Sequence, residues 1–355
     1  MFAVFAVLIL LIIVLIFYIC VRSFRKLSIF KNIKNKVLVW CISLIPMIIL
    51  FSIFNTMNSI VIILHYVLFI GITYLIMSIF KKKNNDILVI ISVILTVIYM
   101  GYGYYMAHHI DETRYVVNAS KKINNDFRII QISDTHIGTI FSGLEFRDYI
   151  EKISKIEADI VVITGDFIDD DTSYEDMVNA CASFSLLHPK YGIYYVNGNH
   201  DRGYYSRKYS YNDLVFELNK NNVKVLTDEV VNINDNIVLV GREDKQIASR
   251  KDISSLVSDI DKSKYIIDLN HQPNDYDNET DVVDLVLSGH THGGQMFPLK
   301  YIGQFIGAND ETYGLHKRGN TTFIVSSGMG CWAIDFKTAT KSEYVVIDIK
   351  GENNE

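Results

Sequence analysis

Four long runs of apolar residues occupy the N-terminal third of the chain. Residues 2–20, 37–54, 60–80 and 87–107 contain no Asp, Glu, Lys or Arg. Each run approaches or exceeds the roughly 20 residues that a helix needs to cross a bilayer core. Buried helices of a soluble protein would carry polar stripes, and a cleaved signal peptide would begin with a basic segment, but these runs have neither feature. The pattern therefore predicts a transmembrane region of four helices over residues 1–107.

The pattern of apolar and polar positions changes after this region. Residues 108–126 are polar and are expected to form a juxtamembrane linker, whereas in residues 127–355 short β-branched runs alternate with helix-like segments. Such alternation is typical of an α/β domain with buried sheets. The predicted strands are 127–133, 159–164, 192–197, 223–226, 237–241, 264–270, 282–287, 322–327 and 344–349. The predicted helices are 145–155, 173–187, 212–221 and 252–261.

Five polar motifs follow directly on predicted strands of this domain. They are Asp134-Thr135-His136, Gly165-Asp166, Gly198-Asn199-His200-Asp201, the single His271, and Gly289-His290-Thr291-His292. In open α/β sheets, ligands bind at the edge formed by the carboxyl ends of the strands. We therefore expect five strands to bring these side chains to one place.

The residue types in these motifs suit divalent metal ions. Asp134 and His136 are separated by one residue, so an extended backbone points both side chains to the same side. His290 and His292 repeat this spacing. A carboxylate combined with imidazoles suits Mn, Fe or Zn, and the carboxylate of Asp166 can bridge two ions. Each motif alone also fits an ordinary turn or surface loop, so the prediction of a metal site depends on the five motifs together.

The motifs, taken in order, resemble the Dx[HD], GD, GNH[DE], H and GHxH signature of the calcineurin-like metallophosphoesterase superfamily. The stretch Gly289–Gln295 is similar to the bacterial membrane-associated branch of the YkuE/YaeI type, and the resemblance covers roughly residues 127–350. It implies an α/β/β/α sandwich after the transmembrane helices. It also implies an enzyme that hydrolyses phosphoric esters at a binuclear metal centre.

The resemblance further implies a role for each motif residue. The first ion would be held by Asp134, His136 and His292, the second by Asn199, His271 and His290, and Asp166 would bridge the two. His200 would protonate the leaving oxygen, and Asp201 would orient His200. Two ions about 3.5–4 Å apart are suited to in-line displacement at phosphorus, and a histidine paired with a carboxylate is suited to act as the acid.

Other positions limit what the resemblance implies. Similar sequences often carry arginines near the final strands, where this chain has Ser327 and Asp335. The way in which relatives bind a phosphate is therefore not transferred to this chain. The consecutive acids Asp169, Asp170 and Asp171 are interpreted as a solvated loop, with an additional metal ligand as the alternative.

The distribution of charge around the apolar runs predicts an orientation. The loop after the first run carries six Lys or Arg, and the loop after the third run carries Lys81, Lys82 and Lys83, whereas residues 55–58 carry no charge. Because basic loops tend to face the cytoplasm, an integral cell-membrane protein with an extracytoplasmic catalytic domain is predicted. A cytoplasmic domain is the alternative if the first or fourth run does not insert.

Net charge bears on the partners of this domain. Residues 1–106 contain nine Lys or Arg and one acid, while the whole chain has a net charge of −6, so the remainder carries about −14. Nucleic-acid binding depends largely on basic residues, so no nucleic-acid partner is expected and a nuclease is the less favoured alternative.

The hypothesis that best fits these observations is a membrane-anchored two-metal phosphoesterase. Its substrate would be a phosphorylated small molecule or lipid, such as a lipid-linked phosphate or a nucleotide-sugar-type pyrophosphate. A membrane sensor or scaffold that binds a phosphorylated ligand without turnover is the alternative. The presence of His200 argues against it, because binding alone needs no acid for a leaving group.

Overall fold

A computed structural model describes residues 2–203, 208–297 and 299–351, without the side chains of residues 2–12 and 299. The chain divides after residue 103 into two compact units. The helices are α1 (Phe2–Arg25), α2 (Lys36–Ile53), α3 (Thr56–Ile79), α4 (Asn85–His108), α5 (Gly143–Ile153), α6 (Tyr174–Ser183), α7 (Tyr211–Lys220), α8 (Ile253–Leu256), α9 (Tyr276–Glu279) and α10 (Ile302–Phe305). The strands are β1 (Ile110–Asn118), β2 (Phe127–Ile132), β3 (Ile160–Thr164), β4 (Ile193–Val196), β5 (Val223–Val225), β6 (Glu229–Asn232), β7 (Ile237–Gly241), β8 (Tyr265–Leu269), β9 (Leu285–Ser288), β10 (Gly314–Arg318), β11 (Thr321–Val325) and β12 (Ser342–Lys350).

The first unit consists of apolar helices. Among the described residues, α2, α3 and α4 are long and apolar enough to cross a membrane, which agrees with the second, third and fourth predicted spans. The first predicted span forms the 24-residue helix α1, but part of it lies outside the described side chains. Three candidate spans, not four, are therefore found in the described part of the chain.

The second unit contains two six-stranded mixed sheets. The order of strands is β1-β12-β2-β3-β4-β5 in the first sheet and β10-β11-β9-β8-β7-β6 in the second. Neighbouring strands from β2 to β5 are parallel, as are β7, β8 and β9. The predicted α/β class is thus confirmed, and the parallel strands point their carboxyl ends to one edge of each sheet.

The central strands are buried on both faces, which explains their continuous apolar sequences. In β3, Ile160 and Val162 pack into the cluster between the two sheets, whereas Val161 and Ile163 pack into the cluster that contains α5 and α6. A third cluster, which includes Phe323, covers the outer face of the second sheet together with Tyr276 of α9. The result is a sandwich of two sheets with helices on both outer faces.

Strand β1 lies inside the segment that was expected to be a linker. It pairs in parallel with β12 from Ile110 opposite Ser342 to Asn118 opposite Lys350. Its sequence is polar because β1 is an edge strand, with side chains that alternate between partial burial and solvent. The first sheet therefore begins two residues after α4 ends at His108.

The helix predicted for residues 252–261 is much shorter in the structure. Only Ile253–Leu256 is helical, as α8. The following residues include Ser258, whose hydroxyl donates to the Ser255 carbonyl, and the acids Asp259 and Asp261. Serine and aspartate compete for backbone hydrogen bonds, which favours turns over a continued helix.

Candidate metal centre

The predicted ligands follow the carboxyl ends of strands from both sheets. Asp134, Asp166 and Asn199 come within three residues of the ends of β2, β3 and β4. His271 and His290 come two residues after β8 and β9. The polar turns of the two sheets therefore lie at the same edge of the sandwich, as predicted from motifs that directly follow strands.

The backbone at these turns is left-handed at five candidate ligands. The φ angles are 46° at Asp134, 40° at His136, 49° at Asp166, 70° at His290 and 49° at His292. Positive φ is uncommon for residues other than glycine, and it concentrates at functional sites where the surrounding structure enforces it. The extended backbone assumed from the i, i+2 spacing is thus wrong in detail. Asp134 and His136 still reach one cluster, whereas His290 and His292 belong to two different clusters.

Glycines in the motifs allow the strand ends to approach each other. A Cβ atom on Gly198 would lie 2.2 Å from Asp166 Oδ1, and a Cβ atom on Gly289 would lie 2.1 Å from Asp134 Oδ2. Optimal non-bonded contacts between heavy atoms are about 3.5–4.0 Å. Any side chain at these two positions would therefore displace a candidate ligand.

One cluster of candidate ligands consists of Asp134, His136 and His292. The Nε2 atoms of His136 and His292 lie 3.1 Å apart, and His292 Nε2 lies 3.8 Å from Asp134 Oδ1. Two nitrogens bound to one ion at about 2.1 Å would be separated by about 3.0–3.4 Å. The spacing of this buried cluster is therefore suitable for a single ion.

A second cluster consists of Asp166, His271 and His290. His271 Nε2 lies 3.2 Å from Asp166 Oδ2 and 3.2 Å from the amide oxygen of Asn199. The other ring nitrogen of His271 contacts the Thr164 carbonyl at 2.8 Å, which orients Nε2 toward these oxygens. The buried Nδ1 atom of His290 has no hydrogen-bond partner in the structure, as expected for a nitrogen kept for a metal ion.

The carboxylate of Asp166 lies between the two clusters. Its Oδ2 atom is 3.7 Å from His136 Nε2 and 3.2 Å from His271 Nε2. Its Oδ1 atom accepts the backbone N–H of His200 at 2.8 Å. Asp166 would therefore be the carboxylate that both ions share, because its Oδ2 atom lies near ring nitrogens of both clusters.

The protonation of the histidines also fits a metal centre. Burial and then the charge on His271 lower the pKa of His290 to about 4, and burial lowers the pKa of His292 well below its usual range. Both imidazoles are therefore neutral near pH 7, which is the form that binds a metal ion. The side chains present thus fit divalent metal ions on grounds of donor type and spacing, and His290 and His292 fit them in protonation as well.

His200 is held by a different carboxylate from the one predicted. His200 Nδ1 lies 3.1 Å from Asp169 Oδ1, and the other oxygen of Asp169 lies 3.0 Å from His136 Nδ1. The sequence pointed to Asp201 as the residue that orients His200, whereas the structure places Asp169 at His200 Nδ1. Asp201 is fully buried and accepts the backbone N–H groups of Phe167, Ile168 and Gly198 at 2.7–3.1 Å.

The role of Asp169 was missed because it stands in a run of three acids. Its position could have indicated the role, because Asp169 follows Asp166 by only three residues. It therefore lies in the turn after β3, which contacts the turn after β2. Ile137 and Ile168 form an isolated parallel bridge at this point, which brings Asp169 next to His136. His136, Asp169 and His200 also have spacing suitable for a metal ion. We interpret them as a hydrogen-bonded chain, since both oxygens of Asp169 already contact ring nitrogens.

A buried lysine lies next to Ser327, close to the candidate ligand Asp134. Lys337 is fully buried, and its Nζ atom donates to the carbonyls of Ser327 and Gly328 at 2.8 and 3.0 Å. Gly328 packs against Asp134, and the backbone N–H of Gly330 donates to the Asp134 carbonyl. Lys337 thus stabilises the segment that supports Asp134, which the sequence alone did not indicate.

Metal binding should release protons, because His271 is protonated in the metal-free site. Burial alone would lower the pKa of His271, but Asp166 and Asp134 outweigh burial and raise it from 6.5 to about 10. Without metal, this raised pKa stabilises the fold fully below pH 6.5, and the contribution is lost as the pH rises toward 10. A bound metal must displace the proton, so the apparent affinity for Mn should rise by up to about tenfold per pH unit between roughly pH 7 and 9.

Calorimetry in buffers of different ionisation enthalpy measures this linkage directly. We expect about one proton or more to be released per chain at pH 8. The surface variant His188→Gln is a matched control and should release the same number of protons. An affinity for Mn that does not change with pH would contradict the prediction that His271 carries a proton before the metal binds.

Two clusters of candidate metal ligands with a carboxylate between them resemble the two-metal sites of phosphatases and nucleases. Residues 127–294 match the family model of the calcineurin-like phosphoesterases, and this part of the chain is a domain of that family. The resemblance seen in the motifs is thereby confirmed.

The relatives of the chain are consistent with this assignment. The chain is 33% identical over 240 residues to a protein of Helicobacter pylori named as a metallophosphoesterase, a match that covers 65% of this chain and 62% of the relative. It is 29% identical to the metallophosphoesterase YkuE of Bacillus subtilis, over 71% of this chain and 91% of YkuE. A protein of Danio rerio named as a transmembrane protein with a metallophosphoesterase domain is 27% identical, over 64% of this chain and 54% of the relative. The chain thus spans less than two thirds of the length of the Helicobacter relative.

Proposed function

We propose that this protein is a membrane-anchored phosphoesterase that holds two divalent ions and hydrolyses a phosphoester or pyrophosphate bond. The position of Asp166 Oδ2 between the two clusters is the observation that carries the proposal. The proposed ligands are Asp134, His136 and His292 for one ion and Asn199, His271 and His290 for the other, with Asp166 shared. Bound ions of the Mn, Fe or Zn type supply Lewis-acid activation of the phosphoryl group and of water.

In this proposal His200 donates the proton that the leaving oxygen needs. Its Nδ1 atom contacts Asp169, so the opposite ring nitrogen, Nε2, is the atom that donates. Burial alone would lower the pKa of His200, but the hydrogen bond to Asp169 and the charge of Asp166 outweigh burial and raise it. A raised pKa keeps the imidazole protonated near pH 7, as a general acid requires.

Replacing Asp169 with Asn should shift the pH profile of the reaction. Activity is lost as the pH rises through the pKa of His200, because the acid is then deprotonated. The Asp169→Asn variant removes the charge that raises this pKa, so the basic limb of kcat against pH should move to lower pH by about one unit or more. Asp171→Asn, in the same acidic run but exposed, is the control and should leave the profile in place. An unchanged basic limb in Asp169→Asn would contradict the role of the His200–Asp169 pair.

The proximity of the domain to a candidate span supports an amphiphilic substrate. Helix α4 ends at His108, and the first strand of the catalytic unit begins at Ile110. Only one residue therefore separates the candidate span from the catalytic sheet, which favours substrates carried by the bilayer. We propose a lipid-linked phosphate or a nucleotide-sugar-type pyrophosphate as the class of substrate.

Hydrolysis of a chromogenic phosphodiester tests the enzymatic proposal. The full chain, purified in detergent and supplied with Mn, should release the chromophore at a rate that chelation abolishes. Screening amphiphilic phosphomonoesters, phosphodiesters and pyrophosphates on the same preparation then separates the substrate classes. A chain that binds no metal and turns over none of these compounds with any divalent ion would contradict the proposal.

We further propose that α1 is a fourth span and that the catalytic domain lies outside the cytoplasm. The support comes from the uncharged residues 2–20 and from the basic loops at residues 22–36 and 81–83. Protease added to intact cells should then digest the C-terminal domain. Digestion only after lysis would place the domain in the cytoplasm.

A further inference from the structure

A group of large apolar side chains is exposed just after the last candidate ligand. Five residues beyond His292, Phe297 is 57% exposed, and Phe305 and Ile306 are 91% and 68% exposed. Tyr301 and Ile302 are also exposed by about half. Contiguous exposed apolar surface on a folded domain usually marks an interaction site. These five side chains, Phe297, Tyr301, Ile302, Phe305 and Ile306, are referred to below as the apolar loop.

The apolar loop is hydrogen-bonded to a segment that contacts His200, the proposed acid. The backbone N–H of Phe297 donates to the hydroxyl of Thr338 at 3.1 Å. Just before the loop, Gln295 donates to the carbonyls of Trp332 and Ile334. The Trp332 ring, in turn, lies 5.6 Å from the His200 ring. The apolar loop and the acid of the site are thus joined through one short segment, residues 332–338.

The same segment contacts the last turn of α4. The ring of Phe336 packs edge-on against the ring of Tyr104, at 6.3 Å between centroids. Tyr104 and Tyr105 are half exposed at the end of an apolar helix, where aromatic residues mark the boundary between membrane and water. The backbone from Phe336 to Thr338 therefore connects an interfacial turn with the apolar loop.

Charge distinguishes the loop from the rest of the domain. Residues 296–309 contain no Asp or Glu and include Lys300, although the part of the chain after residue 106 carries about −14 and Asp310 and Glu311 follow the segment directly. An anionic bilayer surface would repel an acidic face, but it would accept an apolar segment with one lysine. This local absence of acids favours a lipid surface over a basic protein partner.

We propose that the apolar loop inserts into the surface of the membrane that anchors the chain. Aromatic and aliphatic side chains would enter the boundary between headgroups and acyl chains by about 5–10 Å, while Lys300 would remain at the level of the headgroups. This inference rests on the proposed membrane anchoring and does not require that the protein is active.

Quenching by brominated lipids tests the insertion in the full chain. The native tryptophans are first removed by Trp40→Phe and Trp332→Phe, and a single reporter is then introduced as Phe305→Trp. Phe216→Trp is the matched control, because Phe216 on α7 is also an exposed phenylalanine, at 65%. Each protein is reconstituted into phosphatidylcholine–phosphatidylglycerol vesicles with either brominated or unmodified acyl chains.

We expect bromine to quench the reporter at position 305 strongly and the reporter at position 216 weakly. Ile306→Trp, as a second reporter in the loop, should behave like Phe305→Trp. Equal quenching at positions 305 and 216 would overturn the proposal. Shielding from aqueous iodide without quenching by lipid would also overturn it, and would indicate that a second copy of the chain covers the loop. Strong quenching, combined with no phosphoesterase activity in the chain that keeps both native tryptophans, would support insertion while contradicting the proposed function.

Discussion

Replacing His200 with Asn is expected to lower kcat by about 10²–10⁴-fold, the usual contribution of a general acid. The ligand clusters should remain, because the backbone N–H of residue 200 can still donate to Asp166 Oδ1. Metal content and the affinity for a phosphorylated ligand are therefore expected to stay close to those of the unchanged protein. Steady-state kinetics together with elemental analysis of the same preparation measures both quantities.

The result for His200→Asn also separates an enzyme from a sensor. A domain that only binds a phosphorylated ligand would show the same ligand affinity in the variant, and there would be no turnover to lose. His188→Gln, at an exposed histidine outside the site, is the control and should leave kcat unchanged. Full activity in His200→Asn would exclude this histidine as the acid.

Replacing Asp166 with Asn is expected to reduce metal binding and turnover more than replacing His200 with Asn does. Its Oδ2 atom lies within 3.7 Å of ring nitrogens in both clusters, so the variant removes the charge that both ions share. The ions stabilise the transition state by several kcal/mol, so their loss should reduce kcat/KM by roughly 10³-fold or more. The amide keeps an oxygen for the N–H of His200, which limits damage to the fold.

Metal titration and kinetics on Asp166→Asn check this expectation. Asp171→Asn removes the same charge from the same loop region, and it should retain both ions and full activity. If Asp166→Asn bound two ions with unchanged affinity, the shared carboxylate would not be the link between the clusters.

The buried strands could be predicted because their sequences carry a strong signal. Ile160–Thr164 is apolar except for its last residue and Ile237–Gly241 has no polar side chain, since each strand lies between two packed layers and is covered on both faces. The polar turns after such strands then identified the edge of the sheets where the site lies. The prediction that the motif residues lie together followed from one property of parallel sheets, namely that the carboxyl ends of their strands meet at the same edge.

The strands that were missed are edge strands of the two sheets. β1, β6 and β10 each stand at the end of a sheet, and sequences such as Ile110–Asn118 and Gly314–Arg318 are largely polar. An edge strand needs only one apolar face or none, and charges on it protect the sheet from pairing with other chains. Local composition therefore resembles that of a linker or loop, and only the pairing with β12 or β11 reveals the strand.

The details of the site could not be predicted for a different reason. Left-handed backbone at Asp134 and Asp166 could not be predicted because Asp, although enriched at positive φ, adopts it in only a minority of positions. The choice of Asp169 over Asp201 as the partner of His200 depends on which turn passes closest to the ring. Adjacency in sequence suggested Asp201, but that carboxylate is needed to satisfy three buried backbone N–H groups.

Metal stoichiometry measured together with hydrolysis on the full chain tests the central claim most directly. After equilibration with Mn and removal of loosely bound metal, elemental analysis should find two ions per chain, and the rate of phosphodiester hydrolysis should rise with occupancy. Chelation should abolish hydrolysis, and added Mn should restore it. A chain that hydrolyses the ester equally well after chelation, or that binds no metal at saturating Mn, would contradict a two-metal phosphoesterase.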